Sequence, residues 1–302
     1  VLLGYLDGNL ITPTAIALGN FDGVHLGHQD VLKPILSYPH GYPTVVTFEP
    51  HPKEFFSGQK QKLLTPLAEK IAQFKRLGIN QVILLPFNAE FAALSGEEFV
   101  KKILIQELNA KCISVGENFC FGYQRQGTVK ELEEIAAQLG IEVVVVKLKK
   151  QGERISSSEI RNYLAEGKIT LANQMLGRSY SLTGKVIPGK QLGRTLGFPT
   201  ANLEVEEEKL LPCFGVYSVK VLINENSQKG VLNIGRRPTV QGEKVTIEVH
   251  ILDWNSDIYG ETLTVSLEQF IRPEMRFNSL EDLKYQIEQD CQTARELLSL
   301  TH

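Results

Sequence analysis

The sequence predicts two domains: a parallel α/β sheet covered by helices on both faces, then a small antiparallel β-barrel with a C-terminal helix. Three observations carry this. From Thr14 to about Leu148, apolar strand-like runs alternate with helical patterns, the order that builds a parallel sheet. Beyond Gly177 the apolar pattern changes to period two, with closely spaced strands and no helices between them, as in a small barrel. A chain of 302 residues also has room for two cores at ~150 residues each. The domains are therefore set at 1–177 and 178–302.

In order, Thr14 to Leu18 reads as a buried strand, followed by a glycine-rich turn and a helix with Val31, Leu32, Ile35 and Leu36 on one face. Thr44 to Phe48 is a second strand. Thr65 is expected to cap a helix with Pro66 at its first position, an apolar stripe of Leu67, Ile71, Phe74 and Leu77, and Gly78 as its stop. Val82 to Leu85 and Cys112 to Val115 are the next strands. Ser95 with Glu98, and Thr128 with Glu131, have capping-box spacing for the helices on either side of the latter strand. Glu142 to Leu148 is the fifth strand. In the second half, Gly215 to Ile223, Val245 to Leu252 and Leu263 to Phe270 alternate, with a hairpin loop at Asn224 to Ser227. A last helix begins at Ser279, with Leu280, Leu283, Ile287, Ala294, Leu297 and Leu298 on its buried side.

Composition removes several function classes. A hydrophobic share of 42% with 22% charged residues is ordinary for a soluble globular protein. A net charge of −3 supplies no basic field for nucleic acid. No apolar run reaches the ~20 residues that span a bilayer, so no membrane partner is expected. Asp7 and the lack of a basic leader weigh against a secretory signal. Cys112, Cys120, Cys213 and Cys291 are too scattered for a metal site or a disulfide framework. Reduced thiols in a cytoplasmic protein are the simplest account.

The stretch Gly19 to Gln29, G-N-F-D-G-V-H-L-G-H-Q, joins the first strand to the first helix. Unpaired N–H groups and the positive end of a helix dipole make such a turn an anion site. His25 and His28 add side-chain donors three residues apart; a metal pair or core histidines is the competing reading. This stretch resembles the H-x-G-H signature of the nucleotidyltransferases, and N-F-D-G-V-H-L-G-H-Q is similar to the narrower form of bacterial bifunctional riboflavin kinase/FAD synthetases. A Rossmann-like nucleotidyltransferase domain is the fold this implies. Three more strings match. F-E-P-H-P (Phe48 to Pro52) follows the second strand, its prolines holding an extended loop that displays His51. G-E-N-F-C-F-G-Y-Q-R-Q-G runs from Gly116 to Gly127, with Asn118 where many relatives carry Asp. I-S-S-S-E-I-R ends at Arg161, with Ser158 in the usual threonine position.

The resemblance implies that Asn20, Phe21, Gly23, His25, His28, Ser157, Ser158 and Arg161 bind ATP and its phosphates, with His25, His28 and Arg161 catalytic. It gives FMN to His51, Asn118, Phe119 and Arg125. Adenylyl transfer attacks the α-phosphate of ATP with a phosphate that is already anionic, so the site must hold two anions and stabilise charge rather than supply a base. FAD and pyrophosphate would be the products.

In the second domain, Gly184 to Gln191 nearly matches a P-loop but ends in Gln191, which has no hydroxyl for a metal, and Lys185 to Ile187 reads as strand. The better reading runs on through Gly189, Gly193 and Gly197 into F-P-T-A-N, Phe198 to Asn202, which resembles the riboflavin kinase signature. The resemblance gives these glycines, Thr200 and Asn202 to ATP, with Mg²⁺ held by Thr200 and Asn202. E-V-H-I-L-D-W places Glu248 and His250 on the strand face away from Val245, Ile247, Val249 and Ile251. A kinase acting on an alcohol needs a carboxylate to accept its proton, and the resemblance assigns Glu248 that role. N-I-G-R-R-P-T (Asn233 to Thr239) and R-P-E-M-R-F (Arg272 to Phe277) also match. Arg272, Glu274 and Arg276 are expected to close over the flavin, although Arg272 reads equally as a surface charge.

The expectation is a bifunctional enzyme: riboflavin and ATP give FMN in the C-terminal domain, and FMN and ATP give FAD in the N-terminal one. Mg²⁺ should arrive with ATP. A decayed single-activity enzyme and a flavin carrier without turnover are the rivals. Glu248, Thr200 and the intact H-L-G-H argue against both, because a carrier needs neither a base nor metal ligands.

Overall fold

The run T-A-I-A-L, Thr14–Leu18, is buried along its whole length, which a strand achieves only with cover on both faces. In the computed structural model, which describes residues 2–4, 10–147, 150–151, 153–189, 192–223, 226–239 and 242–300, it is the second strand (β2) of a six-stranded sheet. The others are β1 (Leu2–Gly4), β3 (Tyr42–Glu49), β4 (Gln81–Pro86), β5 (Ala110–Gly116) and β6 (Glu142–Val146). The order is β1-β4-β3-β2-β5-β6, and every pairing is parallel.

Alternate strand residues feed two cores, as a period of two requires. Ile16, Leu18 and Ile113 face one core with Phe99, Leu104 and Leu132. Ala15, Ala17 and Val45 face the other with Leu32, Ile35 and Phe74. The second layer comes from α1 (Leu26–Leu36) and α3 (Leu67–Arg76). α2 (Pro52–Ser57) is a short helix after β3. The first layer comes from α4 (Val129–Gln138) and from Gly96–Glu98, which runs into a π-helix at Phe99–Glu107. The Ser95–Glu98 capping box forms in both directions, and Thr128 caps α4 by accepting the Glu131 N–H. Leu36, expected in the stripe of α1, is 39% exposed at the helix end.

The chain divides into two compact units, Val1–Ser157 and Ser158–His302. The second is a closed barrel of β7 (Tyr180–Ile187), β8 (Ala201–Val205), β9 (Gly215–Ile223), β10 (Asn226–Thr239), β11 (Gly242–Ile251) and β12 (Thr262–Arg272). The order around it is β7-β8-β11-β10-β9-β12, every pair antiparallel. Asn226 and Ser227, expected in a loop, already pair with Ile223 and Leu222; Asn224, Leu148 and Gln191 lie outside the described residues.

Helices α5 (Ser157–Ala165) and α6 (Ile169–Leu176) precede the barrel. The sequence reading missed α6. Its Asn173 Nδ2 donates to the Leu267 carbonyl at 2.8 Å while Oδ1 accepts the Tyr180 N–H at 2.7 Å. One side chain thereby fixes the helix to β7 and β12. The final helix, α7 (Leu280–Leu300), lays Cys291, Ala294 and Leu298 on Val216, Val231 and Leu252. Val245 is 40% exposed although Ile247, Val249 and Ile251 of the same strand are buried.

Candidate active sites

β2 ends at the turn Gly19–Gln29, and β2 is where the strand order reverses: β3 and β4 lie on one side of it, β5 and β6 on the other. The carboxyl ends of β2 and β5 thus frame a topological switch point, the usual ligand crevice of such sheets. F-E-P-H-P leaves the carboxyl end of β3, and the Gly116–Gly127 string leaves that of β5. Topology alone therefore gathers three of the four motif strings of the first domain at one edge.

The turn is strained and heavily anchored. Phe21 (φ 50°) and Val24 (φ 41°) occupy the left-handed region, at a cost of roughly 1–3 kcal/mol each. Both side chains are 1% exposed, and the Phe21 ring packs edge-on against Phe74 and His28 at 5.7 and 5.3 Å. The Gly23 N–H donates to Thr65 Oγ1 at 2.8 Å, and the Thr65 N–H donates to Asp22 Oδ1 at 3.1 Å. Ser157 Oγ donates to the Asp22 carbonyl at 2.8 Å. The Asn20 carbonyl accepts from Thr47 Oγ1 at 3.2 Å and from Lys70 Nζ at 3.0 Å.

His25 is the N-cap of α1, its Nδ1 accepting the His28 N–H at 3.2 Å. A neutral ring that accepts at Nδ1 carries its proton on Nε2 and is a donor there. The two imidazoles stack at 3.6 Å between centroids and 13° between planes. Burial pulls the His28 pKa well below its usual 6.5, and His25 and Lys70 act in the same direction. His28 is therefore uncharged at neutral pH. Asn20 Oδ1 and His28 Nδ1 are buried without a hydrogen-bond partner. Buried polar atoms are nearly always paired, and among the described residues only Asp30 Oδ2 and Ser218 Oγ share this state with them.

Several expectations change here. Thr65 does not cap α3, which starts at Leu67 without a side-chain cap; its hydroxyl is used on Gly23. The Gly23 N–H is consequently engaged within the protein. Phe21 contributes a core anchor, leaving only its main chain for a nucleotide. His51 is not in an extended loop: it caps α2, accepting the Lys53 N–H at 3.1 Å. Asn118 and Arg125 are exposed, while Phe119 is half-buried and stacks on Phe121 at 5.9 Å. Ser158 is exposed and Arg161 half-buried, both on α5 in the second unit.

The second site lies on the outer wall of the barrel. Glu248 of β11 is the cross-strand partner of Asn202 on β8 and of Asn233 on β10. These three polar residues line a cleft of about 290 Å³ that also includes Thr200, with Ile287 and Asp290 of α7 opposite. A Cβ at Gly189 would overlap the Asn202 amide, and one at Gly235 would overlap the Glu274 carboxylate. The latter also accepts the Arg236 N–H at 3.3 Å. Strand Lys185 to Ile187 belongs to β7, which removes the P-loop alternative.

Arg272 is not a free surface charge. Its Nε donates to Asp290 Oδ1 at 2.9 Å and its Nη2 to Oδ2 at 2.7 Å, while Gln286 Nε2 donates to Asp290 Oδ1 at 3.0 Å. Arg272 and Glu274 line the cleft, whereas Arg276 is exposed and lines no described cleft. A second cleft of about 330 Å³ is walled by Pro199, Trp254 and Tyr259. Thr200 lines both. Gly193 lines the first cleft; Gly189 and Gly197 line neither.

Sequence reasoning missed Lys70, Thr65, Asn233 and Asp290 as parts of these sites. Lys70 had a signal: it stands three residues after Leu67 and four before Phe74, a cation inside the apolar stripe.

A strained glycine-rich turn at a switch point, followed by a barrel with a carboxylate between two amides, defines a two-module enzyme that handles phosphates. Residues 9–159 match the FAD synthetase family model, and residues 176–298 match the riboflavin kinase model. A bifunctional riboflavin kinase/FMN adenylyltransferase of Escherichia coli K12 is 39% identical over 292 residues, 95% of this chain and 93% of the relative. The protein of that name from Pseudomonas fluorescens is 41% identical over 285 residues, 93% of this chain and 91% of its own. Among solved structures, a Streptococcus pneumoniae protein described as a macrolide-efflux protein superposes with a TM-score of 0.88. It is 30% identical and is matched over 98% of this chain and 99% of its own. The chain belongs to the bifunctional riboflavin kinase/FMN adenylyltransferase family. Among the described residues no helix is long and apolar enough to cross a membrane.

Proposed function

We propose that this chain makes both flavin cofactors, phosphorylating riboflavin to FMN in its second unit and adenylylating FMN to FAD in its first. The observation that carries the kinase half is Thr200, shared by the Glu248 cleft and the aromatic-walled cleft beside it. An alcohol in the first and a nucleotide in the second would meet at Thr200 and Asn202. Glu248 accepts the proton of the attacking hydroxyl, and Arg272 and Glu274 border the flavin. Arg276 has no place in that cleft.

Thr200 and Asn202, which line the cleft together, offer oxygen donors suited to a hard cation such as Mg²⁺. The metal is read as entering with ATP, as the family resemblance implies. When bound it would neutralise phosphate charge. In the first unit, His25 and His28 act as donors to the ATP phosphates beside the Asn20 side chain, with Ser157 as a further donor; Ser158 and Arg161 of α5 keep the phosphate-binding role that the family resemblance gives them. His51, Asn118, Phe119 and Arg125 border FMN. The four cysteines are free, which fits a reducing, cytoplasmic compartment.

The test is incubation of the purified chain with riboflavin, ATP and Mg²⁺, followed by chromatographic separation of flavins. FMN should appear first and FAD after it. Unchanged riboflavin would overturn the reading.

A further inference from the structure

Lys70 is 7% exposed, a rare state for a lysine. It stands on the buried face of α3 and donates its ammonium to the Asn20 carbonyl at 3.0 Å. Asn20 opens the turn in which Asn20 Oδ1 and His28 Nδ1 are buried without a hydrogen-bond partner. The titratable groups around it come from three elements: Asp22 from the turn, His28 from α1, with His25 stacked on it, and Glu49 from β3. Burial lowers the Lys70 pKa, while Asp22 and Glu49 oppose that by favouring the ammonium. A buried cation is expensive, and the Thr47 hydroxyl already satisfies the Asn20 carbonyl.

We propose that Lys70 is the resident cation of the first unit's anion site: a positioning residue that fixes the Asn20 main chain and holds positive charge beneath the turn, favouring the polyphosphate of ATP. The proposal rests on the reading that this turn binds ATP. It separates two jobs by chemistry. Lys70→Met removes both the donor and the charge; Lys70→Gln keeps a neutral donor and removes the charge alone.

The experiment measures FAD formation from supplied FMN, varying ATP and FMN independently in the full chain. A charge-assisted hydrogen bond is worth about tenfold to a hundredfold in affinity. Both variants should therefore raise the KM for ATP by about that factor, leaving the KM for FMN and the rate of riboflavin phosphorylation unchanged. A KM for ATP within twofold of the parent in Lys70→Gln would overturn the charge role. An equal rise in both KM values would reduce Lys70 to a structural residue. A second measurement needs no variant: in protein labelled with ¹³C at the lysine ε-carbon, the Lys70 pKa should rise when α,β-methylene-ATP binds, and an unmoved pKa overturns the proposal. An unaltered chain that makes no FAD from FMN would strike the reading of the site instead.

Discussion

Asn202 and Glu248 are direct partners across β8 and β11, and Asn233 opposes the same Glu248 from β10. The carboxylate thus stands in a row of amides on three paired strands, a rigid placement that a loop would not supply. General base catalysis contributes ~10²–10⁴-fold. Glu248→Gln should lower FMN formation by about that much and leave FAD formation from supplied FMN intact. His28→Ala should do the reverse, slowing FAD formation by roughly 10²-fold through loss of a phosphate donor. Flavin product profiles of the two variants check the division of labour. Loss of both activities in either variant would contradict it.

The Arg272–Asp290 pair closes one end of the same cleft. Asp290 is 3% exposed and the Arg272 side chain 16%, and removal of one partner from a buried pair strands the other charge. Asp290→Asn should cost about 3 kcal/mol, toward the lower end for such pairs because Arg272 keeps some solvent. Arg272 leads into the R-P-E-M-R-F segment, so the KM for riboflavin should rise more than kcat falls. Urea unfolding followed by kinase kinetics on the same preparation checks both.

The barrel and the parallel sheet were legible because period two and β/α alternation are local properties of the chain, and burial enforces them. Gly215–Ile223 was read to the residue. Lys70, Thr65 and Asp290 were not legible as site residues, because each acts on a partner far along the chain: Thr65 on Gly23, Lys70 on Asn20, Asp290 on Arg272. A capping signal at Thr65 was outweighed by a tertiary bond to the turn. Helix α6 escaped because its eight residues (Ile169–Leu176) carry no side-chain cap, and Asn173 looks like an ordinary polar position until the barrel is closed.

His28 also predicts how stability depends on pH. Its folded pKa lies well below 6.5, so below that value the unfolded chain takes up a proton that the folded chain refuses. The contribution is complete above pH 6.5 and declines as pH falls toward the folded pKa, with a slope of at most about 1.4 kcal/mol per pH unit. His28→Gln should flatten the acid limb. Urea midpoints of parent and variant at pH 7.5 and 5.5 give the comparison; parallel declines would show that other groups set the acid limb.

The last prediction concerns where the kinase module begins. We place the functional boundary near Gly177, yet α5 and α6 belong to the second compact unit. Asn173 makes two hydrogen bonds to the barrel strands, the Cys213 N–H donates to the Leu164 carbonyl at 2.9 Å, and Ile169, Ala172 and Leu176 are buried. Each bond is worth roughly 1 kcal/mol net, and full burial of each large aliphatic side chain about 1.5–3 kcal/mol. The sum rivals the whole stability of a small domain. A fragment 158–302 should therefore unfold cooperatively and phosphorylate riboflavin, whereas 178–302 should be marginal or insoluble, despite retaining Thr200, Asn202 and Glu248. Thermal unfolding of the two fragments side by side is the check. Equal melting temperatures would show that the two helices contribute nothing to the barrel, and the boundary at Gly177 would then serve folding as well as chemistry.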